Sequence, residues 1–292
     1  MDSQRRASTL CHHGSRVLTL IFVYLAMIIA LVVALAHSTG AMAQAPTLKV
    51  SDVLSKAREY QFQFRAGDTS VVPEYVAMLE SATQAEPENA ELWYAMGRAY
   101  MLEAARAMLP GGNPAHAMPA MQKGPAALRR TLQLNPDHPA ALAELGGLQA
   151  LMGSLMHAPA MSARGVARIN RAVELAPDST TVRLTRAFLG PNLPDELRNR
   201  AAEAEDLDFL IETAEWSRAG DYVRLMRADL HFETGQLEHA RAQYQIVADS
   251  VSPAAVDAKA RLSALDQGGV AMSDIKALRS AAGAQCTMCH GR

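Results

Sequence analysis

A helix-turn-helix spacing that recurs along the chain constrains its fold more than any other feature. In the stretch from Asn135 to Pro177, the turn Asn135-Pro136-Asp137 precedes Leu142, Leu145 and Gly146. Apolar positions three and four apart give a helix one buried face, and the small Gly146 allows a second helix to approach it. A single hairpin of this kind cannot bury its own apolar face, so the sequence predicts neighbouring hairpins.

Units before and after this stretch carry the same spacing. The earlier unit is marked by Trp93, Met96, Gly97 and Tyr100, and the later one by Ala228, Gly235, Ala240 and Tyr244. From about Val50 to Leu265 the chain resembles the tetratricopeptide repeat (TPR) family. The resemblance implies an all-α fold, a TPR-like superhelix (solenoid) at residues 50–265. The break at Gly268 and Gly269 then predicts a separate, short helical tail at residues 266–292. The resemblance also implies a concave surface that binds a protein or peptide partner.

The repeat register predicts which side chains form the interior. We expect roughly ten helices, with the stretch from Ala254 to Leu265 as the capping helix that the end of an array requires. Aromatic residues make up only 5% of the chain and Ala and Leu are frequent, which fits an all-helical chain. The predicted interior residues are Met96, Leu128, Leu142, Leu145, Ala172 and Tyr244.

Two units are longer than a regular repeat, and both extra stretches fall between the first and second helix. The extra residues include Met108, His116, Met118 and Met121 in the first unit, and Met152, Met156, His157 and Met161 in the second. Because insertions of successive repeats fall on one face, we expect two loops that lie side by side. The methionines either fill irregular gaps, or they form a soft-metal site or an apolar ligand pocket, since thioether and imidazole ligands suit Cu(I).

The first 43 residues have the order of a secretory signal peptide. Arg5, Arg6 and Arg16 precede an apolar run from Val17 to Ala36, and Ala41-Met42-Ala43 is a small-x-small cleavage site. We predict a signal peptide at residues 1–43, cleavage after its last residue, and a periplasmic protein. The run is just long enough to span a bilayer, so the alternative is an uncleaved N-terminal anchor in the inner membrane, with the protein facing the periplasm.

The charge of the chain gives no indication of nucleic-acid binding. Removal of residues 1–43 takes away three Arg and one Asp, which leaves 25 basic and 29 acidic residues. A slightly acidic protein lacks the basic face that binding to phosphates requires. We therefore expect no nucleic-acid partner, and contact with a membrane only through an uncleaved N-terminal segment.

The C-terminal tail, residues 266–292, ends in a motif that carries chemistry. Its last residues include Cys286, Cys289 and His290 in the order C-x-x-C-H, the attachment motif of a c-type haem. Two thiols one helical turn apart can bond the two vinyl groups of a porphyrin, and the adjacent imidazole then lies under the iron as an axial ligand. Cys11, the other cysteine of the chain, belongs to the N-terminal segment. The predicted cofactor is thus haem c.

Other interpretations of the tail compete with haem. A thioredoxin-like C-x-x-C accompanies a βαβ pattern, which the chain lacks, and a structural zinc site needs a fourth ligand from elsewhere. A plain disulfide between Cys286 and Cys289 is the third alternative. The last twenty or so residues resemble the end of class II c-type cytochromes. The possible sixth ligands or soft-metal ligands are Met272, His157, His116, Met118, Met121 and Met156.

Together these features predict an exported TPR scaffold that binds a protein partner, possibly a redox protein or an apocytochrome, and carries a covalent haem for electron transfer. We identify no catalytic constellation in the array, so an enzyme is not expected. The mid-chain pattern also resembles the repeat domain of bacterial cytochrome c maturation proteins. That resemblance implies the alternative of a chaperone that handles cytochromes or haem, and the methionine-rich stretches leave open a periplasmic metal-binding or solute-binding accessory protein.

Overall fold

The computed structural model describes residues 49–213 and 220–267. The chain divides into two units, Met1–Leu48 and Lys49–Arg292. The predicted signal peptide lies outside the described residues, and so does the tail beyond Gln267. Within the described ranges, no helix has the length and apolar character that crossing a membrane requires.

Eleven α-helices and no strand make up the described part of the chain. The first six are α1 (Val50–Arg65), α2 (Val72–Ala85), α3 (Ala90–Met108), α4 (Ala117–Leu134), α5 (Pro139–Leu155) and α6 (Pro159–Leu175). The remaining five are α7 (Thr180–Leu189), α8 (Arg200–Glu212), α9 (Gly220–Glu233), α10 (Leu237–Ala248) and α11 (Ala254–Asp266). Short 3₁₀ turns occupy Thr69–Val71, Pro114–His116, Gly190–Asn192 and Asp195–Leu197. The all-α prediction is confirmed.

Polar caps and prolines define where the helices begin. The Asn89 side chain accepts hydrogen bonds from the backbone N–H groups of Glu91 and Leu92, and the Ser179 hydroxyl accepts one from Val182. Such bonds satisfy backbone donors that have no partner within the helix. Helices α5 and α6 each begin with a proline, whose missing N–H costs nothing at that position.

Glycine allows consecutive helices to pack closely as antiparallel pairs. A Cβ atom on Gly146 of α5 would lie 2.8 Å from the carbonyl oxygen of Gly165 in α6. In the preceding pair, a Cβ on Gly97 of α3 would lie 2.9 Å from Leu128 of α4. Real Cβ atoms do not approach a backbone oxygen so closely, so the α5–α6 crossing depends on Gly146, whereas at Gly97 the nearest atoms belong to the Leu128 side chain. The role that the repeat spacing predicts for Gly146 is confirmed.

The core is a series of local apolar clusters, each shared by helices that are neighbours in the chain. One cluster joins α1, α2, α3 and α4 through buried residues such as Tyr75 and Leu79. Another joins α9, α10 and α11 around Tyr244 and Ala258. All six interior residues named from the repeat register are buried: Met96, Leu128, Leu142, Leu145, Ala172 and Tyr244. Contacts between successive elements are what a repeat array requires.

Buried ion pairs join the helices in the later part of the chain, where the repeat spacing becomes irregular. The carboxylate of Asp206 in α8 is fully buried, and its Oδ1 accepts hydrogen bonds from Arg183 Nη1 at 2.9 Å and Arg186 Nη2 at 2.8 Å. Both arginines belong to α7. A buried carboxylate of this kind requires charged partners, because desolvation would otherwise raise its free energy by several kcal/mol. The pairing therefore specifies which helix packs beside α8.

Two more buried charge clusters follow in the same part of the chain. Arg198 Nε donates to Glu203 Oε2 at 2.8 Å, and Arg198 also pairs with Glu233 at the end of α9. Asp229 of α9 accepts hydrogen bonds from Arg261 Nε of α11 at 2.8 Å and from the Tyr244 hydroxyl of α10 at 2.6 Å. These contacts join helices that are up to two elements apart.

The extra residues of the two long units mainly lengthen their helices. Helices α3, α4, α5 and α6 contain 19, 18, 17 and 17 residues. Met152 lies within α5 and Met161 within α6, so residues 152–163 do not form the loop that the sequence suggests. Only residues 156–158 connect these two helices. Strong helix formers such as Ala and Leu continue the helical pattern through the extra residues.

Candidate functional site

The haem-attachment residues lie outside the described part of the chain. Cys286, Cys289 and His290 belong to the segment beyond Gln267, and so does the proposed axial ligand Met272. Haem binding there stays a prediction from the sequence. The remaining candidate residues all lie near the ends of α3 and α5 or the starts of α4 and α6.

An exposed apolar surface is the main feature of these helix ends. Seven of the twelve large hydrophobic side chains that stand out as exposed in the described residues occur here. We call the set the methionine surface, and its members are Met108, Met118, Met121, Leu151, Met152, Leu155 and Met156. Clustering of this kind marks a binding surface more often than isolated exposed apolar residues do.

Contacts among α3, α4 and α5 bring the two helix turns to the same end of the structure. The Tyr94 hydroxyl of α3 donates to Glu144 Oε1 of α5 at 2.9 Å, so these two helices lie within side-chain reach of each other. Helix α4 runs antiparallel to both, and Leu128 of α4 packs in one cluster with Leu145 of α5. The C-terminal ends of α3 and α5 therefore lie at one end, together with the N-terminal end of α4.

The same registers relate the members of the methionine surface. When the antiparallel pairing of Leu128 with Leu145 is continued by two turns, Met121 comes level with Met152. Continuing from the contact of Tyr94 with Glu144 in the same direction brings Met108 of α3 level with Ala158, about one helical turn beyond Leu155. These registers place the two methionine-rich stretches at one end of the helices, and direct contact between them stays a prediction.

The turn between α5 and α6 has a strained residue at its tip. His157 is the one residue other than glycine with a positive φ in the described ranges, at 52°. Its backbone N–H donates to the Ser154 carbonyl at 3.2 Å, and the N–H of Ala158 donates to the Gly153 carbonyl at 2.8 Å. This is a Schellman motif, in which glycine normally occupies the position of His157. Helix α5 therefore ends with a histidine that projects at the edge of the methionine surface.

At the other turn, Glu103 organises a small polar cluster. Its Oε1 and Oε2 accept a two-pronged hydrogen bond from the Arg106 guanidinium at 2.8 and 3.1 Å. His116 Nδ1 lies 3.6 Å from the same carboxylate. The hydrogen bonds from Arg106 lower the pKa of Glu103, and His116 adds to that effect. The cluster holds the connection between α3 and α4 beside the exposed methionines.

A metal site at these helix ends would have to rely mainly on thioether ligands. Within the described ranges there is no group of three or more His, Cys, Asp or Glu residues that could hold a metal ion. No hydrogen bond or ring contact in this part of the chain joins His116 to His157. Both histidines are exposed, as are Met118, Met121 and Met156. Cu(I) binding by thioethers consequently stays a prediction.

A small cavity lies between α6, α7 and α8. Its volume is about 100 Å³, and its lining includes Ile169, Leu189, Leu193 and Glu203. A pocket for a drug-sized ligand needs about 300 Å³ or more. The cavity is therefore too small to enclose a haem.

Part of the site was missed by the sequence analysis. Leu151 and Leu155 complete the methionine surface, yet neither was a candidate residue. A signal for them exists, because Glu144 is the only charged residue between Pro139 and Leu155. A helix that is apolar on all sides cannot bury every apolar side chain against one neighbouring helix. Some of them, such as Leu151 and Leu155, then remain exposed.

Comparisons with known proteins yield similarity in structure alone. No protein-family model matches the sequence, and no curated protein matches it. A thermophilic TPR protein of Thermus thermophilus is similar with a TM-score of 0.46 and 14% identity, over 70% of this chain and 97% of that one. A tetratricopeptide repeat protein from Parabacteroides merdae has a TM-score of 0.45 and 18% identity, over 87% of this chain and 84% of that one.

Proposed function

We propose that this protein is an exported helical-repeat scaffold that binds a protein partner and carries a covalent c-type haem for electron transfer. The observation that supports this most is the order of Cys286, Cys289 and His290 at the end of a chain whose described part is entirely helical array and turns. Apart from Cys11 in the N-terminal segment, these are the only cysteines. The proposed location is the periplasm, where the N-terminal segment would direct the chain.

The donor set of the tail fits a haem. The thiols of Cys286 and Cys289 would hold the porphyrin through two thioether bonds, and His290 would be one axial ligand of the iron. When bound, the haem would supply one-electron transfer. The chain's own part would be to hold the group and to bring a partner to it.

In this proposal the array provides the docking surface and the tail provides the redox group. The cavity beside α7 is too small for a haem, and the group is proposed to lie at the surface of the array or against a partner. Exposed donors are present for a sixth ligand: His116, Met118, Met121, Met156 and His157. Met272, in the tail itself, is the other candidate.

Covalent haem attachment tests the proposal directly. The full-length chain is produced in a periplasm that contains haem-attachment machinery, and the tail peptide is then weighed by mass spectrometry. We expect the mass of one haem on the peptide that contains Cys286 and Cys289, together with the visible spectrum of a c-type haem. Changing both cysteines to Ser should abolish attachment and leave the helical circular dichroism unchanged. Cys11→Ser is the matched control and should keep the haem.

Two other outcomes would overturn the haem proposal. An intact disulfide between Cys286 and Cys289 with no haem mass would assign the tail a structural role. A colourless protein that binds apocytochrome peptides would instead identify a maturation chaperone. His290→Ala separates ligation from attachment, because it should alter the axial ligation seen in the spectrum while the thioether bonds still form.

A further inference from the structure

We propose that the methionine surface is the docking site for an amphipathic protein segment that carries carboxylates beside its apolar face. This inference rests on the proposed scaffold function, because it names the chemistry of the partner. It does not depend on the haem. It also places binding at the helix turns rather than in the concave groove that the repeat architecture implies.

The apolar half of the argument is the arrangement of exposed side chains. Met108 and Leu155 are 69% and 67% exposed, and helix register places them within about one helical turn of each other along α3 and α5. Met121 and Met152 come level on α4 and α5. Burying one side chain of this size against a partner tightens binding by about tenfold or more. Methionine is flexible at three bonds, so such a surface can adapt to the shape of a helix.

The charges around the surface indicate that the partner segment carries negative charge. Residues 104–128 and 145–168, which include these helix ends, contain no Asp or Glu but four basic residues: Arg106, Lys123, Arg164 and Arg168. Arg164 is exposed near the start of α6 and forms no ion pair within residues 49–213 and 220–267. The nearby carboxylate of Glu103 is already bound by Arg106. Cations beside an apolar surface complement a segment with both apolar and acidic residues.

The composition of the same stretch favours a protein partner over a membrane. Residues 102–175 contain no Phe, Trp or Tyr. Surfaces that insert into the interface of a bilayer typically present Trp or Phe beside their basic residues. Surfaces that bind amphipathic helices often rely on methionine instead. We therefore commit to a protein segment, and membrane binding becomes an outcome of the test.

The backbone at His157 supports a binding role for this surface. A histidine with φ of 52° replaces the glycine that a Schellman motif favours. Residues held in such conformations are frequent at ligand sites. His157 directly follows Met156, so the strained turn carries the edge of the apolar surface.

A synthetic peptide provides the test. The probe is a helical peptide of about 16 residues with Leu at positions i, i+3, i+4 and i+7 and Glu elsewhere, and the comparison peptide has Lys in place of Glu. The full-length chain should bind the Glu peptide, with an affinity that falls as ionic strength rises, and should ignore the Lys peptide. The paired change Met118→Gln and Leu155→Gln should weaken binding at least about tenfold, as the loss of one or two buried side chains implies. Arg164→Gln should weaken it less and reduce the salt dependence.

Matched controls keep the result independent of folding. Ile246→Gln removes a comparably exposed apolar side chain from α10, and Lys259→Gln removes an exposed cation from α11. Both variants should bind the Glu peptide as the wild-type chain does. Equal binding of the two peptides, or equal loss in Ile246→Gln and in the Met118/Leu155 variant, would overturn the proposal. Binding to phosphatidylglycerol vesicles without binding to the peptide would overturn it in favour of a membrane. Haem attachment is measured separately, so its failure leaves this test interpretable.

Discussion

His157 shows how a single backbone angle relates to both stability and binding. A left-handed conformation costs a residue with a Cβ about 1 to 2 kcal/mol, whereas glycine adopts it without a clash. Part of that gain is offset by the larger entropy that glycine loses on folding. His157→Gly should therefore raise the free energy of unfolding by up to about 1 kcal/mol. Urea denaturation measures the change, and His157→Ala, which keeps the strain, should stay near the wild-type value.

Glu103 gives a residue-scale prediction with a defined pH dependence. Hydrogen bonds from Arg106 hold the pKa of Glu103 below its usual value of 4.5. The carboxylate thus contributes stability above pH 4.5, and the contribution is lost as the pH falls through the folded-state pKa. Glu103→Gln should cost about 1 kcal/mol at pH 7, and the difference from wild type should vanish in acid.

The control for Glu103 is a carboxylate without such a partner. Glu88 is 87% exposed, and its Oε1 lies 3.8 Å from Arg130 Nη2. Glu88→Gln should leave the free energy of unfolding nearly unchanged at every pH. An effect of equal size in both variants would contradict a specific role for the Arg106 hydrogen bonds.

At the level of helices, α8 offers a direct comparison between a buried and an exposed ion pair. Asp206 is completely buried between Arg183 and Arg186 of α7, whereas the side chain of Asp208 is 53% exposed beside Arg227. Removal of one partner from a buried cluster leaves the others without compensation, at a cost of about 3 to 5 kcal/mol. Asp206→Ala should destabilise the protein by that amount, and Asp208→Ala by less than about 1 kcal/mol.

Thermal and urea unfolding followed by circular dichroism measures both variants. Equal losses of stability would indicate that the Asp206 cluster contributes no more than a surface pair. Retention of wild-type stability in Asp206→Ala would contradict the assignment of α7–α8 packing to these charges.

Helices α3 to α6 were predictable from sequence because local pattern and packing agree there. Gly146, Leu142 and Leu145 occupy positions where a glycine or an apolar side chain meets the next helix, and a fixed spacing reveals that. The buried partnership of Asp206 with Arg183 was not predictable, because the residues are 23 positions apart and each one alone looks like a surface charge. The exposed members of the candidate site, such as Leu155, were missed for the opposite reason. Their pattern resembles that of core residues, and only the arrangement of neighbouring helices leaves them uncovered.

For the whole array, contacts between neighbours predict limited cooperativity. Leu79 of α2 is fully buried in the cluster that joins the first four helices. Leu79→Ala should cost about 2 to 5 kcal/mol, and the loss should be confined mainly to the N-terminal helices, because repeats couple through nearest neighbours. In a Trp216→Phe background, Trp93 fluorescence reports on that region, since the indole N–H of Trp93 donates to the Pro87 carbonyl at 2.8 Å.

The unfolding midpoints reported by fluorescence and by circular dichroism should then differ. Fluorescence of Trp93 should show a lower urea midpoint than circular dichroism in the Leu79→Ala variant, and the slope of the circular dichroism transition should decrease. Without the Leu79 substitution, the midpoints should lie closer together. Coincident midpoints in the variant would show that the array unfolds as one unit.

The two ways in which helices are held together have different consequences for how the array can change in evolution. Glycine contacts such as Gly146 with Gly165 fit any helix that presents a small residue at the crossing, so a glycine-packed hairpin can be duplicated, deleted or exchanged for another. The buried charges of α7 to α11 are not interchangeable, because Asp206 needs Arg183 and Arg186 while Asp229 needs Arg261. Insertion of a helix pair between these helices would leave buried charges without partners, and each such charge would lower the stability of the fold by several kcal/mol. The chain should therefore vary in repeat number before Thr180 and keep a constant set of helices after it.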